Sequence, residues 1–267
     1  MIVARVPEGI RVVMQTDHQS QCGLMAARWG NAHIARPEPW EPVQLAAEWH
    51  DEGWRQWERT PDVQPDGDPR GFIAMAPSTH MEIHRRSIAA ATERDVVTGM
   101  LVGMHCAGLV QHRMGLDGDM PEVATLPDPV RQLVRDELAV RAQVSQGMGN
   151  PGEVASWTWA AYRVLQALDR LSLYLTWNAL ARGDEWILHR VPRHAADDRG
   201  VDIAVTPVDA ITCALDPWPF ADGSVDAPVL ARIISDRPYA DAADLHTALL
   251  AADPAPVAFR LVPAVRA

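Results

Sequence analysis

The sequence predicts a mainly α protein, a helical bundle carrying a small β-rich appendage. Three observations predict it. Between residues 15 and 182, apolar residues recur at helical spacing behind repeated helix-start signals. After Arg182-Gly183-Asp184 the chain changes to short β-rich runs separated by Pro, Gly and Asp. Before residue 15, a loose alternation with a Pro7-Glu8-Gly9 turn signal predicts a hairpin able to join those runs. The expected organisation is an N-terminal β-hairpin at 1–14, a helical catalytic domain at 15–182 and a β-rich C-terminal appendage at 183–267.

Within the helical part, Asp17 reads as the N-cap of a helix running to about Trp29, with Leu24, Met25 and Ala27 inside it. Pro42 suits a first helical position, and Val43 to His50 continues helically until Gly53 breaks it. Residues 60–71 hold Pro61, Pro65, Gly67 and Pro69 with several aspartates, a loop composition. Thr79-His80-Met81-Glu82 fits a capping box and predicts a helix to about Thr92. Val96 to Leu109 is so uniformly apolar that it predicts a buried helix, and Asp128-Pro129 opens another with Val130, Leu133, Val134 and Leu138 on one stripe. The longest helix is expected from about Gly152 to Ala181. In the tail, short strands are expected at Trp186–Arg190, Val201–Thr206, Ala210–Leu215, Pro228–Ile234 and Val257–Val262, with a helix at 241–251.

Composition limits the partners. The formal net charge is -11, which argues against nucleic acid and anionic membrane surfaces, since both attract basic proteins. All 24 basic residues are arginine, so no lysine is available for catalysis. Cys22, Cys106 and Cys213 are far apart and odd in number, which suits a reducing cytoplasm and not a disulfide scaffold. No run reaches the roughly 20 apolar residues a spanning helix needs, and the N-terminus lacks a signal-peptide pattern. The expected protein is soluble and cytoplasmic and acts on a small molecule.

The chemistry concentrates around Trp49-His50-Asp51-Glu52-Gly53-Trp54. A histidine and an aspartate side by side between tryptophans would be costly in a core unless something binds them, and a neutral imidazole with a carboxylate suits a divalent transition metal. Other such residues follow in order on separate predicted helices: His18, then His80 or His84, then His105 and Asp169. Singly each has a bland reading; His105 would simply bond a backbone carbonyl, and Asp169 would pair with an arginine. As a set, four imidazoles and two carboxylates suffice for two metal ions, with Asp51 shared between them. Asp17 and Glu52 are candidates to orient histidines.

The order H…HD…H…H…D, with His50-Asp51-Glu52-Gly53 as an H-D-x-G segment and Leu168-Asp169-Arg170-Leu171-Ser172 closing it, resembles the HD-domain superfamily of helical metal-dependent enzymes. More narrowly it resembles an uncharacterised bacterial branch of unknown function, through Pro77-Ser78-Thr79-His80, His105-Cys106-Ala107-Gly108-Leu109 and Leu165 to Leu173. The resemblance covers about residues 15–180. It implies an HD-like bundle and metal ligands His18, His50, Asp51, His80, His105 and Asp169, favouring His80 over His84. It also implies one of two reactions: oxidation of a small polar substrate by dioxygen at a non-haem diiron centre, or phosphohydrolysis at manganese or magnesium. Histidine-rich ligation favours iron. Asp51, Glu52 and Arg55 are the expected catalytic residues, Arg55 to meet an anionic substrate. A non-catalytic metal-binding or interaction module is the third reading.

Overall fold

In the computed structural model, which describes residues 1–111 and 123–265, the chain begins with the expected hairpin, Ile2–Val6 (β1) and Gly9–Val13 (β2). The helices Gln15–Arg28 (α1), Glu41–Trp49 (α2), Trp54–Trp57 (α3), Pro77–Arg94 (α4), Val96–Val110 (α5), Asp128–Gly147 (α6), Pro151–Thr176 (α7) and Ala179–Arg182 (α8) follow. The remainder is Trp186–Val191 (β3), Val201–Pro207 (β4), Thr212–Asp216 (β5), Val225–Ile234 (β6), Ala242–Ala251 (α9) and Ala255–Pro263 (β7). Among the described residues no helix is long and apolar enough to cross a membrane.

Local signals explain several starts. Asp95 caps α5 by accepting from the Thr98 amide, Asn150 caps α7 and Asp241 caps α9. Asp17 does not cap α1; it lies in the first turn, and the start is met from a distance by Glu58, whose Oε1 accepts from the Gln15 amide at 2.5 Å. A carboxylate 43 residues away is a cap that no local pattern announces. The expected capping box at Thr79 is also absent, since α4 starts two residues earlier at Pro77 with no side-chain cap.

The mainly α expectation does not hold. The strands form one seven-stranded curled sheet, a half-barrel in the order β1-β2-β6-β7-β5-β4-β3, with β5 and β7 parallel and every other pair antiparallel. The chain is a mixed α/β protein, and the sheet is a layer of its core, not an appendage. Strand β6 shows why. Over ten residues Val225, Ala227, Val229 and Ala231 face inward, while Asp226, Pro228 and Leu230 face out. Its inner face packs on α1, and β3 packs on α7. Leu168, Leu171 and Leu175 of α7 share one apolar cluster with Leu188, Val205, Ile203 and Leu215 of the sheet. The N-terminal hairpin joins the tail through β2 against β6. Short strands looked peripheral in sequence because what each packs against lies far away along the chain.

At Gly53 the turn after His50-Asp51 runs hard against α4. A Cβ there would overlap the carbonyl oxygen of Ile83 and lie 2.6 Å from the Ser87 amide nitrogen, and the Gly53 amide itself donates to Ser87 Oγ at 3.0 Å. Gly53→Ala should therefore cost about 1–3 kcal/mol through overpacking, read as a lowered midpoint in chemical denaturation; an unchanged midpoint would show that the turn can move aside. A second expectation concerns pH. Asp197 accepts from the Arg193 side chain at 2.7 Å, the Arg193 amide at 3.1 Å and the Gly200 amide at 3.0 Å, and the Arg193 guanidinium foremost holds its carboxyl below the usual range. A carboxyl lowered by folding contributes stability that is present above about pH 4 and lost as pH falls. Asp197→Asn should cost about 1 kcal/mol at neutral pH, and the difference should close in acid; a gap constant down to acid pH would contradict this.

Candidate metal centre

Four chain segments aim titratable side chains at one point inside the helical layer. His18 and Cys22 are one turn apart on α1 and so share its inner face. His50 ends α2, and Asp51 begins the turn that Gly53 closes. His105 sits inside the uniformly apolar α5, and Asp169 inside the apolar stretch of α7. His18, His50, Asp51, His105 and Asp169 are all buried, as is Cys22.

A chain of hydrogen bonds orients two of the histidines. Gln21 Nε2 donates to the Ala227 carbonyl of β6 at 2.6 Å, so Gln21 turns its Oε1 the other way. Ser172 Oγ donates to that oxygen at 2.5 Å and, its proton spent there, accepts from His18 Nδ1 at 2.7 Å. His18 therefore presents Nε2 to the centre, 3.0 Å from Asp169 Oδ1. His50 is fixed in the same sense, with Nδ1 donating to the Ala47 carbonyl at 3.0 Å. Its Nε2 then faces Asp51 Oδ2 at 3.6 Å and Asp169 Oδ1 at 3.7 Å, beyond hydrogen-bond distance, and is buried with no partner. His105 Nδ1 is likewise buried and unpartnered.

The electrostatics follow from this packing. Burial opposes charge on His50, but Asp51 and Asp169 together outweigh it and push its pKa up to about 9. Burial also works against the Asp169 carboxylate, yet the hydrogen bond from His18 and the surrounding imidazoles hold that carboxyl well below its usual range. Burial raises Asp51 and holds His105 down to about 3. The centre thus demands positive charge at His50 Nε2, and a proton there is the least it can carry.

The donors also fit a metal ion. Atoms bound to one ion at about 2.0–2.2 Å stand roughly 3–3.5 Å apart, close to the 3.6 and 3.7 Å separations at His50. Two groups have their ligand atoms all within 4.8 Å of one another: His50, His105 and Asp169, and His18, Cys22 and His50. A cavity of about 320 Å³ opens beside the first group, with Asp51, His105 and Asp169 among its lining. Trp54, Phe72, Met75, Leu109, Val130 and Leu173 give it apolar walls.

Of the residues expected from sequence, His18, His50, Asp51, His105 and Asp169 converge here. His80 does not belong to either ion-sized group. It lines the cavity, edge-on to Trp54 at 5.3 Å and stacked on His84 at 4.6 Å. His84 is the more buried of the pair, its Nε2 unpartnered, and burial lowers both. Glu52 and Arg55 pair with each other and line a separate, smaller cleft with Arg59 and Arg86. Glu52 reaches the centre only through Gln19, which donates to it at 2.9 Å and accepts from the Asp51 amide at 2.9 Å. Sequence reasoning missed Cys22, Ser172, Gln21 and Gln19. Only Cys22 carried a readable signal, four residues after His18 on one helix.

The family described as "Protein of unknown function (DUF3891)" matches residues 1–236, and the chain belongs to it. No curated protein and no solved structure matches the chain. The family match overturns the resemblance to the HD-domain superfamily. It runs through the helices and through strands β1 to β6 as one unit, whereas the resemblance stopped near residue 180 and implied a helical bundle alone.

Because Ser172 is the sole bridge between Gln21 and His18 Nδ1, Ser172→Ala leaves two buried polar atoms facing a gap. It should cost about 1–3 kcal/mol in unfolding free energy, and wild-type stability would show that the proton order described above is not enforced by this hydroxyl.

Proposed function

We propose that this DUF3891 protein is a metal-dependent oxidoreductase, an oxygenase built on a two-histidine, one-carboxylate iron centre formed by His50, His105 and Asp169. The observation that carries the proposal is the bare, buried His50 Nε2 held between two carboxylate oxygens. Two imidazoles and one carboxylate with open positions is the donor set that suits non-haem iron. Iron so bound supplies the activation of dioxygen.

The residues around it have separable tasks. The Ala47 carbonyl fixes the ring of His50, and Ser172 that of His18, so that neither needs to reorient when the ion arrives. Asp51 and Asp169 favour a proton on His50 Nε2, and a cation bound there would displace it. Asp51 and His18 stand 3.9 Å apart beside the triad, where the Asp51 carboxylate would balance cation charge. The apolar cavity excludes water from the reacting end and suits a small substrate with an apolar body. His80 and His84, kept neutral by burial, offer its wall two uncharged hydrogen-bonding rings.

One feature of the expected function changes in this reading and one is kept. One ion is held at a time, because His50 Nε2 has a single lone pair and belongs to both ion-sized groups. Oxidation is favoured over phosphate ester hydrolysis, because Arg55, Arg59 and Arg86, the side chains suited to an anion, line the other cleft. The three free, buried cysteines suit a reducing, cytoplasmic setting.

Protein purified without added metal, then loaded with ferrous iron under anaerobic conditions, should bind one iron per chain and consume oxygen in the presence of a substrate. Asp169→Asn and His50→Ala should each weaken iron binding by at least ~10–100-fold, the scale that even supporting residues of metal sites reach. Magnesium- or manganese-dependent phosphate release with no oxygen uptake would replace this reading by the hydrolytic one. Failure to bind any transition metal would remove both.

A further inference from the structure

Cys22 lies outside the triad proposed above and has no task in it, yet it is fully buried against the centre. Its Sγ is 3.9 Å from His18 Nε2, its thiol donates to the Leu168 carbonyl at 3.6 Å, and Ser172 is a further hydrogen-bond neighbour. A sulfur at about 2.3 Å and a nitrogen at about 2.0 Å on one tetrahedral ion stand roughly 3.5 Å apart. With the unpartnered His50 Nε2, these two atoms form the second ion-sized group, His18, Cys22 and His50. Two imidazoles and a thiolate form a soft donor set, suited to zinc or reduced copper more than to magnesium or manganese.

The two groups differ in where they face. His105 and Asp169 line the cavity, whereas His18, Cys22 and His50 are not among its lining residues. One seat therefore opens on the substrate space and the other lies behind it. Both need the same nitrogen, His50 Nε2. We infer that the centre has two mutually exclusive metal seats, a cavity-facing one for the working ion and a rear one at His18, Cys22 and His50 for a thiophilic cation. This inference rests on the triad reading, and it gives that site a regulator: a zinc-like ion in the rear seat removes His50 from the front one. Occupation of the rear seat breaks the Cys22 S–H bond and the N–H bond at His50 Nε2, forms metal–sulfur and metal–nitrogen bonds in their place and releases both protons to solvent.

Cobalt(II) added to the full-length, metal-free protein tests this. Cobalt in the rear seat should give a thiolate-to-cobalt charge-transfer band at a stoichiometry of one ion per chain. The band should persist in the Cys106→Ser/Cys213→Ser double variant and vanish in Cys22→Ser, which should still bind one cobalt through the front seat. Zinc should raise the apparent Kd for ferrous iron in the wild type, and Cys22→Ser should reduce that effect by at least tenfold. If cobalt binds the wild type without a charge-transfer band, the rear seat is refuted while the front centre stands. The wild-type spectrum gives that answer even where Cys22→Ser does not fold. Zinc competing equally well against iron in Cys22→Ser would refute the rear seat too. If cobalt does not bind at all, both the rear seat and the triad fail.

Discussion

The Gln21 amide bonded to the Ala227 carbonyl is the interaction on which the centre depends. Ala227 is the third residue of the long strand β6, and Gln21 lies on the face of α1 that packs against it. Once that amide is turned, Ser172 has one place for its proton and His18 Nδ1 can only donate. A bond between sheet and helix thereby decides which nitrogen of a histidine points at an aspartate on α7. A half-barrel that looks remote from the chemistry is the part that orients it, which is the role of outer-shell contacts around metal ligands generally.

Holding this cluster is expensive. Two carboxylates and three imidazoles are withdrawn from water, and removing even one ion from solvent costs several kcal/mol unless it is paired. The surroundings offset that cost with apolar burial. Leu165, Leu168, Leu171 and Leu175 on α7, each contributing about 1.5–3 kcal/mol, flank Asp169 and Ser172 on the same helix. Helix α5 does the same for His105, with Leu101, Val102, Met104 and Cys106 buried around it. The polar residues stay because their helices are anchored by everything else on them.

This division also explains what could be read from the sequence. Most helices were legible because each carries its own period, and α5 because it is uniformly apolar; His50, Asp51, His105 and Asp169 were legible as costly residues in apolar or tryptophan-flanked settings, and His18 only as the first member of the ordered set. The sheet was not legible as a layer, since β6 reveals itself only when its inner face meets α1 and its edge meets the N-terminal hairpin. Glu58 capping α1 and Gln21 reaching Ala227 are contacts across the fold and leave no local trace. The resemblance to a helical superfamily went astray for the same reason. The order of ligands along a chain can recur where the surrounding architecture does not. That resemblance also favours His80 over His84, although burial separates the two in the opposite sense.

The orientation of His50 limits what the centre can become. Its Nδ1 is committed to its own helix end at Ala47, so Nε2 is its only outlet, and that outlet has acids on one side and a thiol beyond His18 on the other. A proton at that atom satisfies the acids but leaves distances of 3.6 and 3.7 Å that no hydrogen bond spans well. In the proposed reading, a cation larger than a proton would fill that spacing, with the oxygens or, from the rear, the sulfur as its further donors. Hard and soft donors meeting at one nitrogen make the metal's own preference the deciding variable. The fold supplies a fixed imidazole shared by two groups of potential ligands, and only the group with His105 and Asp169 borders the cavity.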